Sequence, residues 1–174
     1  MKRWLALPLA RTGISPHAVS LMGVPLAAVS AWLVAREHGA WAFAAAVPAV
    51  LMDFLDGEVA RLQGRETPFG NYFEAVVDRM VEGVLLVGLA CRYPAAACAA
   101  LVASFLVSYT KARAGLVVVC DNRDWPGLGD RSDRVVLLLL AVLFSGGRAG
   151  EAFLWLLASM ALVGLLQRLR YARR

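Results

Sequence analysis

Charge is scarce in this chain: Asp, Glu, Lys and Arg together make up 18% of its 174 residues, against 60% apolar. With a mean hydropathy of +0.62, that deficit excludes an ordinary soluble domain and points to an integral membrane protein. Cysteine is scarce as well. Cys91, Cys98 and Cys120 are odd in number and contain no CxxC pair, which argues against a disulfide framework or a zinc site and leaves them as small apolar fillers. Acidic residues fall short of basic ones, 13 against 18, for a net charge of +5. The excess is scattered at the ends of apolar runs rather than gathered on one face, so no nucleic-acid partner is expected. There is also little room outside the membrane. One crossing takes about 20 residues, and six would use roughly 120 positions at about 1.5 Å each, so residues 1–174 read as a single membrane domain. Chemistry must then be carried on the membrane helices or in short loops, where an ionisable side chain is costly and usually functional.

Lys2 and Arg3 open a segment that Pro8, Arg11 and Gly13 interrupt; it is expected to stay at the membrane surface as a partly amphipathic piece rather than act as a signal peptide. Ser15-Pro16 is a helix-start signal, and the apolar run after it reaches Ala35. A second span starts at Ala40, stays apolar through Met52 and ends charged near Leu62; a third begins acidic at Phe69 and becomes apolar from Val84 to Cys91. A fourth follows the Arg92-Tyr93-Pro94 break and runs to about Ala114, before a loop over 122–129 rich in Gly and Pro. The fifth has only ten apolar residues in a row, Val135 to Phe144, and needs residues from Asp130 to Ala149 to cross; the sixth covers Glu151 to about Arg170. With six spans, fifteen of the basic residues collect on the side of both termini and three, Arg36, Arg92 and Arg148, on the other. The positive-inside rule then makes the termini cytoplasmic, in the cell (inner) membrane.

The informative residues are the acids where spans two and three meet. Asp53 and Asp56 are three apart, and Glu74 and Asp78 four apart, so each helix carries a pair on one face. Counted from the turn, Asp53 lies ten residues before Gln63 and Asp78 ten after Pro68, while Asp56 and Glu74 lie seven before and six after. An antiparallel hairpin brings the four to matching depth. Four carboxylates in a low-dielectric site need cations, and oxygen ligands suit hard divalent ions such as Mg²⁺. Gly57, Ala60 and Gly70 keep the neighbourhood free of bulk. Glu58, Glu66 and Glu82 do not complete the paired spacing and are read as headgroup-zone acids.

The run Asp53-Phe-Leu-Asp56-Gly57-Glu-Val-Ala60-Arg61, followed by Gly70, Glu74 and Asp78 at fixed spacing, resembles the signature of the CDP-alcohol phosphotransferase family, with Glu74 standing where that family has aspartate. The likeness extends over most of the chain. Gly13-Ile-Ser-Pro16-His17 is similar to the family's entry to its first helix, where His17, read as structural, replaces Asn or Asp. Ser108-Tyr109-Thr-Lys111-Ala-Arg113, then Asp130-Arg131-Ser-Asp133-Arg134 and Gln167-Arg168, resemble the bacterial phosphatidylinositol-phosphate synthase branch, in which an acidic residue often stands at the position of Gly115. The resemblance implies a homodimer that moves a phosphatidyl-type group from a CDP-alcohol, with CDP-diacylglycerol as donor, to a small phosphorylated polyol, inositol phosphate being favoured, and releases CMP. It also implies two Mg²⁺ or Mn²⁺ ions on Asp53, Asp56, Glu74 and Asp78, with Asp78 as general base, and nucleotide contacts from Gly57, Ala60, Arg61 and Gly70.

Basic side chains lead to the same acceptor by another route. Lys111, Arg134 and Arg168 sit near the cytoplasmic ends of three spans, with Arg131 and Arg113 beside them. Together they suit a phosphate, since Arg binds its oxygens in pairs and Lys adds a compact charge. The alternatives weighed are another acceptor (glycerol phosphate, serine or inositol), a catalytically weakened relative and a cation transporter. A transporter would carry acids through the whole membrane thickness, whereas spans two and three have none in their outer halves.

Overall fold

The structure is a computed structural model that describes residues 2–117 and 131–172. The loop expected over 122–129, together with Cys120, Asp130, Arg173 and Arg174, lies outside the described residues. Among the described residues all regular structure is helical: α1 (Lys2–Arg11), α2 (Pro16–Ala35), α3 (Gly39–Gln63), α4 (Pro68–Ala90), α5 (Pro94–Val117), α6 (Arg131–Leu143) and α7 (Arg148–Ala172).

Local chemistry sets the boundaries nearest the acids. Ser15 Oγ accepts the Ala18 N–H at 3.2 Å ahead of Pro16, and Thr67 Oγ1 accepts the Gly70 N–H at 2.9 Å ahead of Pro68. Both are side-chain caps with proline in the first turn. Helix α3 ends where Gly64 takes a left-handed conformation, φ +62, which lets the Arg65 N–H reach back to the Ala60 carbonyl at 2.9 Å. Four residues, 64–67, therefore turn α3 into α4.

Helix α2 packs on both α3 and α4, while α5 and α6 pack on α7; α4 against α5 and α3 against α6 join these groups. Leu85, Leu86, Leu89, Leu138, Leu154 and Leu157 are fully buried along the seam, in company with many alanines. Small residues allow the close approach that lipid-embedded helices need. Gly88 shows it most clearly, because a Cβ there would sit 2.5 Å from Ala31 Cβ and 2.6 Å from Ala31 Cα. Gly88→Ala should thus push α2 from α4 and lower stability by about 1–3 kcal/mol despite the better helix propensity of alanine; an unchanged melting temperature in detergent would contradict that packing.

Large apolar side chains also point outward, among them Trp41 at 71% and Leu116 at 79% exposure. That is the surface expected of helices solvated by lipid. Four helices, α2, α3, α5 and α7, are long and apolar enough to cross a membrane, which makes the chain an all-α integral membrane protein. The six-span expectation is not met by length and composition alone, for two physical reasons. Helix α4 carries Glu74, Asp78, Arg79 and Glu82 within its 23 residues. Helix α6 has 13 residues, about 20 Å of rise against a hydrocarbon core of about 30 Å. The fifth span was expected to draw on residues up to Ala149, but Gly146 and Gly147 form a turn and α7 starts at Arg148.

The end of the bundle opposite the acids is tied by polar contacts. Arg92 pairs with Glu37 at 2.5 Å, and the Tyr93 hydroxyl lies 2.7 and 2.6 Å from the carbonyl oxygens of Ser145 and Gly147. At the acidic end, the segment expected at the surface forms α1 and packs on α3, with Gln63 Nε2 donating to the carbonyls of Ala10 and Ile14 at 3.3 and 3.0 Å.

Candidate active site

The capped ends of α2 and α4 and the last turns of α3 surround a cavity of about 370 Å³. Asp56, Glu74, Gly57, Ala60, Arg61 and Gly70 all line it, so every residue expected at the nucleotide stands in one place with two of the four acids. A Cβ on Gly57 would meet both Glu74 carboxylate oxygens at 3.5 Å, so the glycine keeps space open in front of that carboxylate. His17 also lines the cavity, its ring edge-on to Phe73 and Phe69 with centroids 4.8 and 5.8 Å apart. Asp56 is held on both oxygens: Ser20 Oγ hydrogen-bonds Oδ2 and the Gly57 N–H donates to Oδ1 at 2.6 Å.

The other two acids form a second pair one helical step deeper. Asp53 and Asp78 are 7% and 8% exposed, and the Arg131 guanidinium bridges them, reaching Asp53 Oδ2 and Asp78 Oδ2 at 2.6 Å. The acids thus associate across helices by their depth from the turn, Asp53 with Asp78 and Asp56 with Glu74. Among the described residues no three acid, His or Cys side chains come close enough to hold one ion together. The donor set nonetheless fits a hard cation. Asp53 Oδ1 is buried with no hydrogen-bond donor, an arrangement that is costly unless a cation completes it.

Arg131 connects this pair to a larger cavity of about 720 Å³, whose wall includes Lys111, Arg131, Arg134 and Arg168 together with Arg79 and Ser108. Four of the five cations expected at the acceptor are therefore brought together; Arg113 is exposed and is not among the lining side chains. Arg134 and Arg168 are 4% and 5% exposed, too deep for headgroup anchors, and Arg168 Nη1 donates to the Val107 carbonyl at 2.8 Å. Two lining or adjoining residues escaped sequence reasoning. Arg79 donates to Ser108 Oγ at 2.8 Å, and Glu82, read as a headgroup acid, is buried against Arg79 and Arg134. Glu82 follows Asp78 by four residues, so helical spacing could have flagged it. The partly buried Glu58 and the exposed Glu66 pair with Arg61 at 2.8 and 3.4 Å.

A cavity with small residues and acids, and a cation-lined one whose Arg131 reaches the second acid pair on the same helices, form an arrangement for a negatively charged donor beside a negatively charged acceptor. The sequence profile described as CDP-alcohol phosphatidyltransferase matches residues 14–167. The chain belongs to this family. Its relatives include phosphatidylinositol phosphate and archaetidylinositol phosphate synthases. The phosphatidylinositol phosphate synthase of Mycobacteroides abscessus is 31% identical over 183 residues, covering 97% of this chain and 82% of that protein. The archaetidylinositol phosphate synthase of Pyrococcus horikoshii is 25% identical over 170 residues, covering 95% and 87%. Among solved structures, the Mycobacterium tuberculosis phosphatidylinositol phosphate synthase in complex with manganese and citrate superposes with a TM-score of 0.86 at 27% identity, over 99% of this chain and 89% of that one. The same enzyme with CDP-DAG bound gives 0.83, over 99% and 93%. As a CDP-alcohol phosphatidyltransferase the chain is a divalent-metal-dependent transferase of phospholipid biosynthesis.

Proposed function

We propose that this enzyme transfers the phosphatidyl group of CDP-diacylglycerol to inositol phosphate and releases CMP. The observation that carries the reading is the place of Arg131, which lines the cavity of Lys111, Arg134 and Arg168 and bridges Asp53 and Asp78, on the same two helices whose Asp56 and Glu74 line the cavity of small residues. The Mycobacteroides abscessus relative is a phosphatidylinositol phosphate synthase, and a structural neighbour binds CDP-DAG. Residues 1–174 act as one membrane domain. Helix α4, and α6 together with the turn over 144–147, complete six crossings, with the acidic end facing the cytoplasm with both termini, in the inner membrane of the cell. The enzyme works as a homodimer.

Asp53, Asp56, Glu74 and Asp78 are the carboxylates that would hold two ions, Mg²⁺ or Mn²⁺. Bound there, the metal neutralises the diphosphate as its anhydride bond breaks. Gly57, Ala60 and Gly70 let the nucleotide approach the backbone of α3 and α4, and Arg61 adds a charge at the cavity mouth. Lys111, Arg131, Arg134 and Arg168 orient the acceptor by its phosphate. The acceptor hydroxyl oxygen forms a bond to the β-phosphorus, the phosphoanhydride P–O bond breaks with its electron pair leaving on CMP, and the hydroxyl proton passes to the Asp78 carboxylate.

Purified enzyme given CDP-diacylglycerol, Mg²⁺ and a panel of acceptors should release CMP only with an acceptor present, and fastest with inositol phosphate. Faster turnover with unphosphorylated alcohols would overturn the acceptor assignment. Glu74→Asp, which restores the family's usual ligand length, should retain or improve turnover. Its loss would mean that the longer side chain is matched to the cavity that Gly57 leaves open.

A further inference from the structure

Glu82 is an acid that the roles assigned above do not use. It lies one helical turn beyond Asp78 on α4 and is 8% exposed. Oε2 accepts from Arg79 Nη1 at 2.9 Å, and Oε1 faces Arg134 Nε at 3.5 Å. Those two arginines come from α4 and α6 and both line the 720 Å³ cavity, whereas Glu82 is not among its lining side chains. Ser108 of α5 stands between the same two guanidiniums, 2.8 Å from Arg79 Nη1 and 3.5 Å from Arg134 Nη2. An anion and a hydroxyl placed among two cations at this depth do two things. They offset the mutual repulsion of the guanidiniums when no phosphate is present, and they fix the rotation of both planar forks. A buried carboxylate persists at such a place only when it is paired, and the pairing here is with the wall of the acceptor cavity.

We propose that Glu82 is a positioning residue for the acceptor: it holds Arg79 and Arg134 as a preset pair of phosphate-binding forks, and so favours phosphorylated over neutral polyols. The proposal rests on the assignment of the larger cavity to the acceptor. Its test is a kinetic split in the full-length enzyme, with KM for inositol phosphate, KM for CDP-diacylglycerol and kcat measured separately. Glu82→Gln keeps the shape and removes the charge. It should raise the acceptor KM about tenfold while the CDP-diacylglycerol KM and kcat stay within about threefold. Glu82→Asp keeps the charge on a shorter stem and should fall between, at about threefold; it carries the test if Glu82→Gln does not fold. In an Arg134→Ala background the same Glu82→Gln change should add less than about twofold, since its effect runs through Arg134. A folded Glu82→Gln enzyme with an unchanged acceptor KM, equal rises in both KM values, or an undiminished effect without Arg134 would each overturn the role, as would an unchanged acceptor KM in Glu82→Asp. The two layers separate cleanly. Arg134→Ala raising the acceptor KM while Glu82→Gln does not removes the positioning role alone, whereas an Arg134→Ala enzyme with a normal acceptor KM removes the cavity assignment beneath it.

Discussion

Asp53→Asn is expected to cut CMP release by about 10²–10³-fold, the scale seen when one electrostatic element of a transition-state site is removed. The side chain is isosteric, so packing around its buried position is retained, and what disappears is charge. Asp53 Oδ1 is a buried oxygen without a donor, and Oδ2 shares Arg131 with Asp78. The amide cannot replace a carboxylate as ligand to a hard cation, and Arg131 would then be neutralised by Asp78 alone. Both consequences fall on the chemical step, so the loss should appear in kcat at saturating CDP-diacylglycerol and inositol phosphate. A parallel Mn²⁺ titration of the purified variant should show weakened metal binding. Wild-type turnover by Asp53→Asn would remove the carboxylates from the centre of the reaction.

Arg134→Ala carries the second large effect. Charge-assisted hydrogen bonds to a phosphate contribute about 1.5–3 kcal/mol each, so losing one or two should weaken acceptor binding at least about tenfold. Binding of the CDP-lipid should hold, because Arg134 lines the larger cavity and not the one that holds Gly57 and Gly70. The variant should also be less stable, since Glu82 stays buried with one of its two arginines gone. Calorimetric titration with inositol phosphate and a melting curve in detergent read the two effects separately. A headgroup anchor at this position would produce neither.

Much of this site is legible in the sequence because helices convert spacing into geometry. The counts from Gln63 and Pro68 set Asp53 level with Asp78 and Asp56 level with Glu74, and the same capped turn lies between α3 and α4 in the structure. Small residues could be placed beside the acids for the same reason. What could not be read is side-chain reach between elements distant in sequence. Arg131 bridges Asp53 and Asp78 from the first residue of α6, and Ser20 reaches Asp56 across 36 residues; neither leaves a periodic trace. By sequence Glu82 reads as a headgroup-zone acid, because span ends commonly carry acids. Its burial depends on Arg79 and Arg134 both turning toward it, one local and one from another helix. The extent of α6 is hard to read from sequence for a simpler reason. Its ten-residue apolar core reads as extending through Ser145 to Ala149, but the helix closes at Leu143 and residues 144–147 turn the chain into α7.

The most direct test of the central claim is product stoichiometry in a single reconstituted assay: CMP and lipid-linked inositol phosphate measured together from CDP-diacylglycerol and inositol phosphate, with Mg²⁺ and again after chelation. The account predicts one CMP per phosphatidylinositol phosphate formed, no CMP without acceptor, and loss of both products on chelation with recovery when Mg²⁺ or Mn²⁺ is restored. CMP release that continues without acceptor, or lipid product that forms at full rate in excess chelator, would contradict it.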